Sequence, residues 1–194
     1  FVKAIRERMP ANKELSVAVA ANPNNLSTYW HGSYDYTALA QYANYLTIMG
    51  YDQYSLNDPK GNGPVASGNW TEKAIQYAVG KVSPDKLMLT VPLYGRMWSD
   101  DGSMNGVALT LRQIDSLMQQ FNGTTEYVVE QQSPKATLVI PEGAEDVKMN
   151  NTTIKPGTYT IWYENDQSLQ YKYNLAEKYG LKGIGFWALY GNVE

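Results

Sequence analysis

The chain has 194 residues, a net charge of −3 and 43% hydrophobic side chains, which suits one ordinary globular domain with a sizeable core. The mildly acidic balance argues against a nucleic-acid binder, whose affinity rests on a concentrated basic face, and no stretch approaches the roughly 18 apolar residues of a membrane span. Zero cysteines exclude disulfides, zinc-thiolate sites and thiol nucleophiles; with His31 as the single histidine, neither a metal nor another cofactor is expected.

Residues 1–9 read as the end of a helix closed by Pro10. The start, FVKAIRERMP, spreads its apolar residues among charges and lacks the single apolar run of a secretion signal. LSVAVAA (15–21) is a continuous Val-rich run bounded by Asn-Pro-Asn-Asn, the pattern of a strand buried on both faces. Asp35 stands where it can cap a helix over YTALAQYA, with Leu39, Tyr42 or Ala43, and Leu46 on one side. A second buried run, YLTIMGY (45–51), follows at once. A loop rich in Gly, Asn and Pro (52–69) leads into the helix WTEKAIQYAVGKV, apolar at 74, 75, 78, 79 and 82. Ser83-Pro84 ends it, and KLMLTVPLY (86–94) is the third buried strand.

From residue 98 to 160 the alternation breaks. Thr110 caps a helix carrying Leu111, Ile114, Leu117 and Phe121, stopped by Asn122-Gly123. The strand candidates TEYVVEQ, KATLVIP and GTYTIWY follow. This reads as a small α+β insertion. A helix then runs from Asn165 or Asp166 to Tyr179, closed by Gly180, and leads to a fourth buried strand, GIGFWALY (183–190). The expected organisation is therefore 1–97, an insertion at 98–160, and 161–194. Alternating strands and helices imply a parallel sheet with right-handed crossovers, either open and doubly wound or part of an eight-fold barrel. Without the insertion roughly 130 residues remain, about half of the ~250 of a complete barrel.

In either closure the chemistry lies at the carboxyl ends of the strands. There the sequence places Met49-Gly50-Tyr51-Asp52, then Pro92-Leu93-Tyr94-Gly95-Arg96-Met97-Trp98, then Phe186-Trp187-Ala188. Taken singly, Trp187 reads as a core residue and Arg96 as half of a surface ion pair. Their shared position at three strand ends makes them candidates for a site. Sixteen Tyr and five Trp against three Phe supply rings with polar handles, suited to stacking on sugar faces and bonding hydroxyls at the rim. Other patterns carry less. Gly61-Asn62-Gly63-Pro64 lacks the spacing and the Lys-Ser/Thr of a phosphate loop. His31 precedes a Gly-Ser turn and suits a loop better than a Ser-His-Asp triad. Glu164 and Asp166 precede a helix start, where capping and the helix dipole account for them. Asn-x-Ser/Thr triplets at Asn25, Asn69, Asn122, Asn150 and Asn151 are expected by chance in an Asn-rich chain.

Met-x-Tyr-Asp on one strand, Pro-x-Tyr-Gly-Arg on the next and Gly-x-x-x-Trp on the last resemble, in that order, the family 18 glycoside hydrolases. The segments YDYTALAQYANYLTIMGYDQY, GPVASGNW, KLMLTVPLYGRMW and IWYENDQSLQYKYNLAEKYGLKGIGFW look most like bacterial cell-wall and spore-cortex members, the chitinase-like N-acetylglucosaminidases. The resemblance covers nearly the whole chain. It implies an α/β fold: strands five to eight of a (β/α)8 TIM barrel, with the α+β insertion before the last strand. It also implies substrate-assisted retaining cleavage, an exception to the two-carboxylate scheme. A glutamic acid protonates the glycosidic oxygen, and the sugar's own acetamido oxygen attacks the anomeric carbon. By this resemblance Tyr51 and Asp52 are auxiliary catalytic groups; Tyr51 holds the acetamide and Asp52 contacts the sugar or the acid. Met49, Tyr94, Arg96, Trp98 and Trp187 are substrate contacts, with Trp187 the floor under the cleaved sugar.

One departure counts against activity. The family's acid closes a pattern of spaced aspartates on the fourth strand, and no Asp-x-x-Asp-x-Asp-x-Glu occurs in this sequence. The chain thus reads as the C-terminal half of a hydrolase of chitin or peptidoglycan glycan, inactive as given. Its partners are an N-acetylglucosamine-containing polysaccharide and, for its open edges, either a second copy or the missing N-terminal half. The family implies an extracytoplasmic, secreted or cell-wall-associated location. Two other readings stand beside this one. A non-catalytic lectin would keep the aromatic cleft, and an unrelated open α/β domain would hold a small molecule at its strand ends.

Overall fold

The computed structural model describes residues 1–58, 60–145, 147–149 and 152–189. The Asn-x-Ser/Thr triplets at Asn150 and Asn151 and the end of the last strand candidate at Tyr190 lie outside the described residues. In chain order the elements are α1 (Val2–Arg8), β1 (Ser16–Ala20), α2 (Tyr36–Tyr42), β2 (Tyr45–Met49), α3 (Gly68–Val79), β3 (Leu87–Pro92), β4 (Tyr94–Ser99) and β5 (Asn105–Thr110). Then come α4 (Leu111–Gln120), β6 (Thr124–Val128), β7 (Ser133–Ile140), β8 (Val147–Met149), β9 (Thr152–Ile154), β10 (Gly157–Trp162), α5 (Asp166–Lys178) and β11 (Gly183–Trp187). They divide into two compact units, one of residues 1–51, 69–91 and 170–185, the other of the described residues within 52–68, 92–169 and 186–194.

The sheet formed by the four expected strands has the order β1-β2-β3-β11; β11, expected to be buried, is half-buried over Gly183–Gly185 and exposed at Phe186 and Trp187, because it is an edge strand. β1 pairs parallel with β2, Ser16 opposite Tyr45 through Ala20 opposite Met49, and β2 pairs parallel with β3. Leu46 and Ile48 alternate inward on β2 and join Val19, Leu87 and the helix residues Ala74 and Ala78 in one core. The Asp35 carboxylate accepts from the Ala38 N–H at 2.9 Å, starting α2 where a cap was expected. Tyr36 is buried on that helix and donates its hydroxyl to the Ala20 carbonyl at 2.6 Å; burial pushes its phenol well up. β1 and β11 are the edges of this sheet, and the described strands close no barrel.

The second unit is an antiparallel sheet in the order β5-β4-β10-β7-β6, with α4 packed on it through Ile114 and Leu117 against Met97, Leu109, Leu138 and Ile161. Thr110 and Gln113 form a reciprocal capping box at the start of α4, at 3.2 and 2.9 Å. A separate hairpin, β8–β9, pairs Val147 with Ile154.

The run KLMLTVPLY, expected as one strand to Tyr94, is two. Pro92 has no N–H to continue the ladder, and the Leu93 N–H turns to the Trp187 carbonyl at 2.7 Å. β4 then starts in the other sheet. A register shift between Met97 and Trp98 breaks its period-two pattern, so the β4–β5 pair was not legible in the residues; nor was the short β8–β9 hairpin. Helix α3 begins at Gly68, two residues before the expected Trp70.

Within the first unit Glu72 of α3 accepts from Lys178 Nζ at 2.7 Å and from the Tyr179 hydroxyl at 2.9 Å. Those hydrogen bonds hold the Glu72 carboxyl below its usual range and raise Lys178. A depressed carboxylate adds stability above its unfolded pKa, about 4.3, and loses it as pH falls through the folded value. The raised lysine loses its share only as pH rises through its own folded value, above about 10.4. Thermal unfolding of Glu72→Gln is therefore expected to lie below that of the parent chain at pH 7 and to converge with it towards pH 3. A difference independent of pH would contradict this.

Candidate active site

β2 ends at Met49, and three residues later the backbone of Asp52 turns into the left-handed region at φ +61°. Few non-glycine residues adopt it, and aspartate is among those that tolerate it. The turn is fixed beyond Asp52 by Gln53, whose N–H donates to the Val65 carbonyl at 2.9 Å and whose side-chain oxygen accepts from the Ser67 N–H at 2.7 Å. On β4, alternate residues share a face, so Tyr94 and Arg96 stand side by side, and both reach Asp52.

One carboxylate oxygen takes three bonds. Asp52 Oδ1 accepts from the Tyr94 hydroxyl at 2.5 Å, from Arg96 Nε at 3.0 Å and from Arg96 Nη2 at 2.8 Å. Arg96 Nη1 donates to the Gly106 carbonyl at 2.7 Å, so the guanidinium is held at both ends and is mostly buried. Gly106 has φ +77°, and a Cβ there would meet the Ser55 carbonyl oxygen at 2.5 Å, so glycine alone fits at the point that aims this carbonyl. Burial first, and then the Asp52 charge, raise the Tyr94 phenol. It stays protonated, and a donor, through neutral pH. The Asp52 side chain is 40% exposed, and among the described residues no donor reaches its Oδ2. That oxygen is available to a ligand hydroxyl or amide.

Trp187 follows a different course from the core role its sequence suggested. It is 54% exposed, while its carbonyl is tied to Leu93, the residue before Tyr94; the Trp187–Ala188 peptide is cis. Trp98 is buried, and its indole N–H has no partner among the described residues. Asp52, Tyr94 and Arg96 are thus bonded directly, and Trp187 joins them through the backbone. Met49 and Tyr51 are half-buried at the end of β2, in the first unit. Gln53 and Gly106 were not anticipated; their parts depend on a loop closure and a hairpin register that no motif marks.

The other candidates resolve locally. Asn165, not Glu164 or Asp166, provides the reciprocal cap of α5, its side-chain oxygen accepting from the Ser168 N–H at 3.0 Å. Glu164 is buried and accepts from the Ser168 hydroxyl at 2.6 Å. His31 packs on Trp30, ring centres 4.7 Å apart. Among the described residues no three His, Cys, Asp or Glu gather as a metal site, and no helix is long and apolar enough to cross a membrane.

The sequence pattern of the Glycosyl hydrolases family 18 matches residues 1–192. The chain belongs to family 18. It is 28% identical over 166 residues to the glycosylase YvbX of Bacillus subtilis (strain 168), covering 85% of this chain and 44% of that protein. It is 24% identical over 194 residues to the cortical fragment-lytic enzyme of Bacillus anthracis, covering 97% and 41%. The crystal structure of a chitinase from Chromobacterium violaceum superposes with a TM-score of 0.80 at 27% identity, over all of this chain and 56% of that one. The chain thus spans half or less of the length of the curated relatives it is compared with. Its mixed α/β architecture is that of the family 18 structures.

Proposed function

We propose that this chain is the substrate-contacting half of a glycoside hydrolase that cleaves β-1,4-linked N-acetylglucosamine polymers, chitin or peptidoglycan glycan, with retention. The Asp52–Tyr94–Arg96 cluster beside an exposed Trp187 carries the reading. A buried arginine neutralises Asp52 and Tyr94 fixes its rotamer, leaving Oδ2 to accept from the sugar's acetamide N–H or from the acid. Trp187 offers an apolar face to the distorted ring, and its low polarity strengthens each nearby charge. Tyr51 holds the acetamide oxygen that attacks the anomeric carbon; Met49 and Trp98 are assigned as further substrate contacts. The parallel strands act as strands five to eight of a (β/α)8 barrel, with residues 98–160 inserted before the last. The proton donor is supplied by a segment outside these residues.

The second reading, a non-catalytic lectin of the same family, keeps the exposed Trp187 and the Asp52–Tyr94–Arg96 cluster as sugar contacts. Both readings expect saccharide binding; an unrelated small-molecule domain does not. Calorimetric titration of the 194-residue chain with N-acetylchitotetraose is expected to show saturable binding that maltotetraose does not match. Equal or absent binding of the two would count against a glycan site of this class.

A further inference from the structure

Gln53, the residue after Asp52, has three of its polar groups taken up inside one loop. Its N–H donates to the Val65 carbonyl at 2.9 Å and its side-chain oxygen accepts from the Ser67 N–H at 2.7 Å. Its own carbonyl accepts from Lys60 Nζ at 2.8 Å. Val65 and Ser67 are buried, so the Gln53 side chain satisfies a backbone donor in a buried stretch of chain. Lys60 is itself placed, 3.4 Å from the Asp58 carboxylate and 4.7 Å from the centre of the Tyr54 ring.

The same loop is tied to the antiparallel sheet. The Asn57 N–H donates to the Asn105 carbonyl at 3.0 Å, and the Ser55 carbonyl oxygen lies against Gly106, where a Cβ would meet it at 2.5 Å. The Asn62 side-chain oxygen accepts from the indole N–H of Trp162 at 3.3 Å, and Trp162 stands opposite Arg96 in the β10–β4 ladder. One loop thus meets both halves of the ion pair. Through Gln53 it sets the backbone that carries Asp52, and through Ser55 and Asn57 it abuts the strand whose Gly106 carbonyl anchors Arg96. Asp52 needs such support: at φ +61° it occupies a conformation that an L-residue keeps only where neighbouring contacts over-determine it.

We infer that Gln53 is a positioning residue of this site: its side chain holds the Asp52 turn so that Oδ1 stays on Tyr94 and Arg96 and Oδ2 stays open to a ligand. The inference rests on the glycan reading of the Asp52 cluster. Gln53 acts through the Asp52 backbone and not by touching the sugar. A change of φ at Asp52 swings its whole side chain, so a contact made one residue away decides where a carboxylate that is 40% exposed comes to rest. A carboxylate already in its bound geometry loses less freedom when the ligand arrives.

The test compares the 194-residue chain with Gln53→Met, Gln53→Glu and Lys60→Met by two readouts. One is the calorimetric affinity for N-acetylchitotetraose; the other is the solvent exchange of the Arg96 Nε–H by NMR, its signal assigned by its loss in Arg96→Met. Methionine keeps the length of the side chain and removes the acceptor, whereas glutamate keeps an oxygen for the Ser67 N–H. Thermal unfolding sets a temperature at which each variant is folded. Gln53→Met is expected to weaken tetraose binding roughly three- to tenfold, the range of one hydrogen bond, and to speed exchange of the Arg96 Nε–H. Gln53→Glu is expected to stay within about twofold on both readouts, because its acceptor is retained. Lys60→Met, which removes the third tie without altering Gln53, is expected to move both readouts the same way by less. Both readouts unchanged in Gln53→Met, or in Lys60→Met where Gln53→Met does not fold, overturn the positioning role. Equal losses in Gln53→Met and Gln53→Glu overturn it too, since the acceptor oxygen then counts for nothing. Faster exchange with unchanged affinity overturns the part of Gln53 in binding. No tetraose binding by the unsubstituted, folded chain overturns the glycan reading, while exchange that still follows Gln53 supports its hold on Asp52.

Discussion

Arg96→Met is expected to lower the affinity of the chain for N-acetylchitotetraose by roughly 10- to 100-fold, the range of one to two charge-assisted hydrogen bonds. The loss follows from how Asp52 is held. Two of the three bonds to its Oδ1 come from Arg96, which is itself fixed on the Gly106 carbonyl. Methionine keeps much of the apolar stem but removes the fork, so Asp52 keeps only the Tyr94 hydroxyl and its rotamer is released. Arg96→Lys is expected to fall between the two, because an ammonium cannot bond Asp52 and Gly106 in the same planar geometry. Calorimetry with folded variants reads this directly. Affinity unchanged in Arg96→Met would show that the cluster is a structural ion pair without a part in binding.

The purified 194-residue chain is expected to turn over N-acetylchitooligosaccharides at least ~100-fold, and up to ~10,000-fold, more slowly than the parent enzyme. This is the contribution of a positioned general acid, before any loss from an open sheet is added. Asp52 does not replace the donor: its Oδ1 is already engaged as the acceptor of three hydrogen bonds from Tyr94 and Arg96. The same open sheet gives a second observable. β1 and β11 are edges, and Phe186, Trp187 and Leu189 are largely exposed. Edges and apolar surface of this kind recruit other chains, so light scattering is expected to show self-association or uptake of the missing half. Efficient hydrolysis by this chain alone would require an acid elsewhere in it.

Much of the fold was legible because buried parallel strands and amphipathic helices leave strong patterns. LSVAVAA, YLTIMGY and KLMLTVPLY each name a strand to within two residues, the last running past Pro92 into the start of β4, and Asp35 and Thr110 announce their helices through short-range chemistry. The candidate site was legible in part for the same reason: Asp52 follows the end of β2, Tyr94 and Arg96 follow the end of β3, and Trp187 is the last residue of β11. What stayed hidden depends on long-range register. The β4–β5 pair follows a proline and contains a bulge, so neither alternation nor a turn motif marks it. Gly106 gains its part only because that register brings its carbonyl to Arg96. The exposure of Trp187 was hidden too, since an apolar run of Ile, Phe and Trp gives no sign of which ring faces water.

The most direct measurement is proton NMR of N-acetylchitotetraose hydrolysis by the full-length parent protein beside this 194-residue chain. The account predicts that the parent releases product first as the β-anomer, as retention requires, while this chain binds the tetraose and releases none. A parent that binds the tetraose without cleaving it, or that releases the α-anomer first, would contradict it.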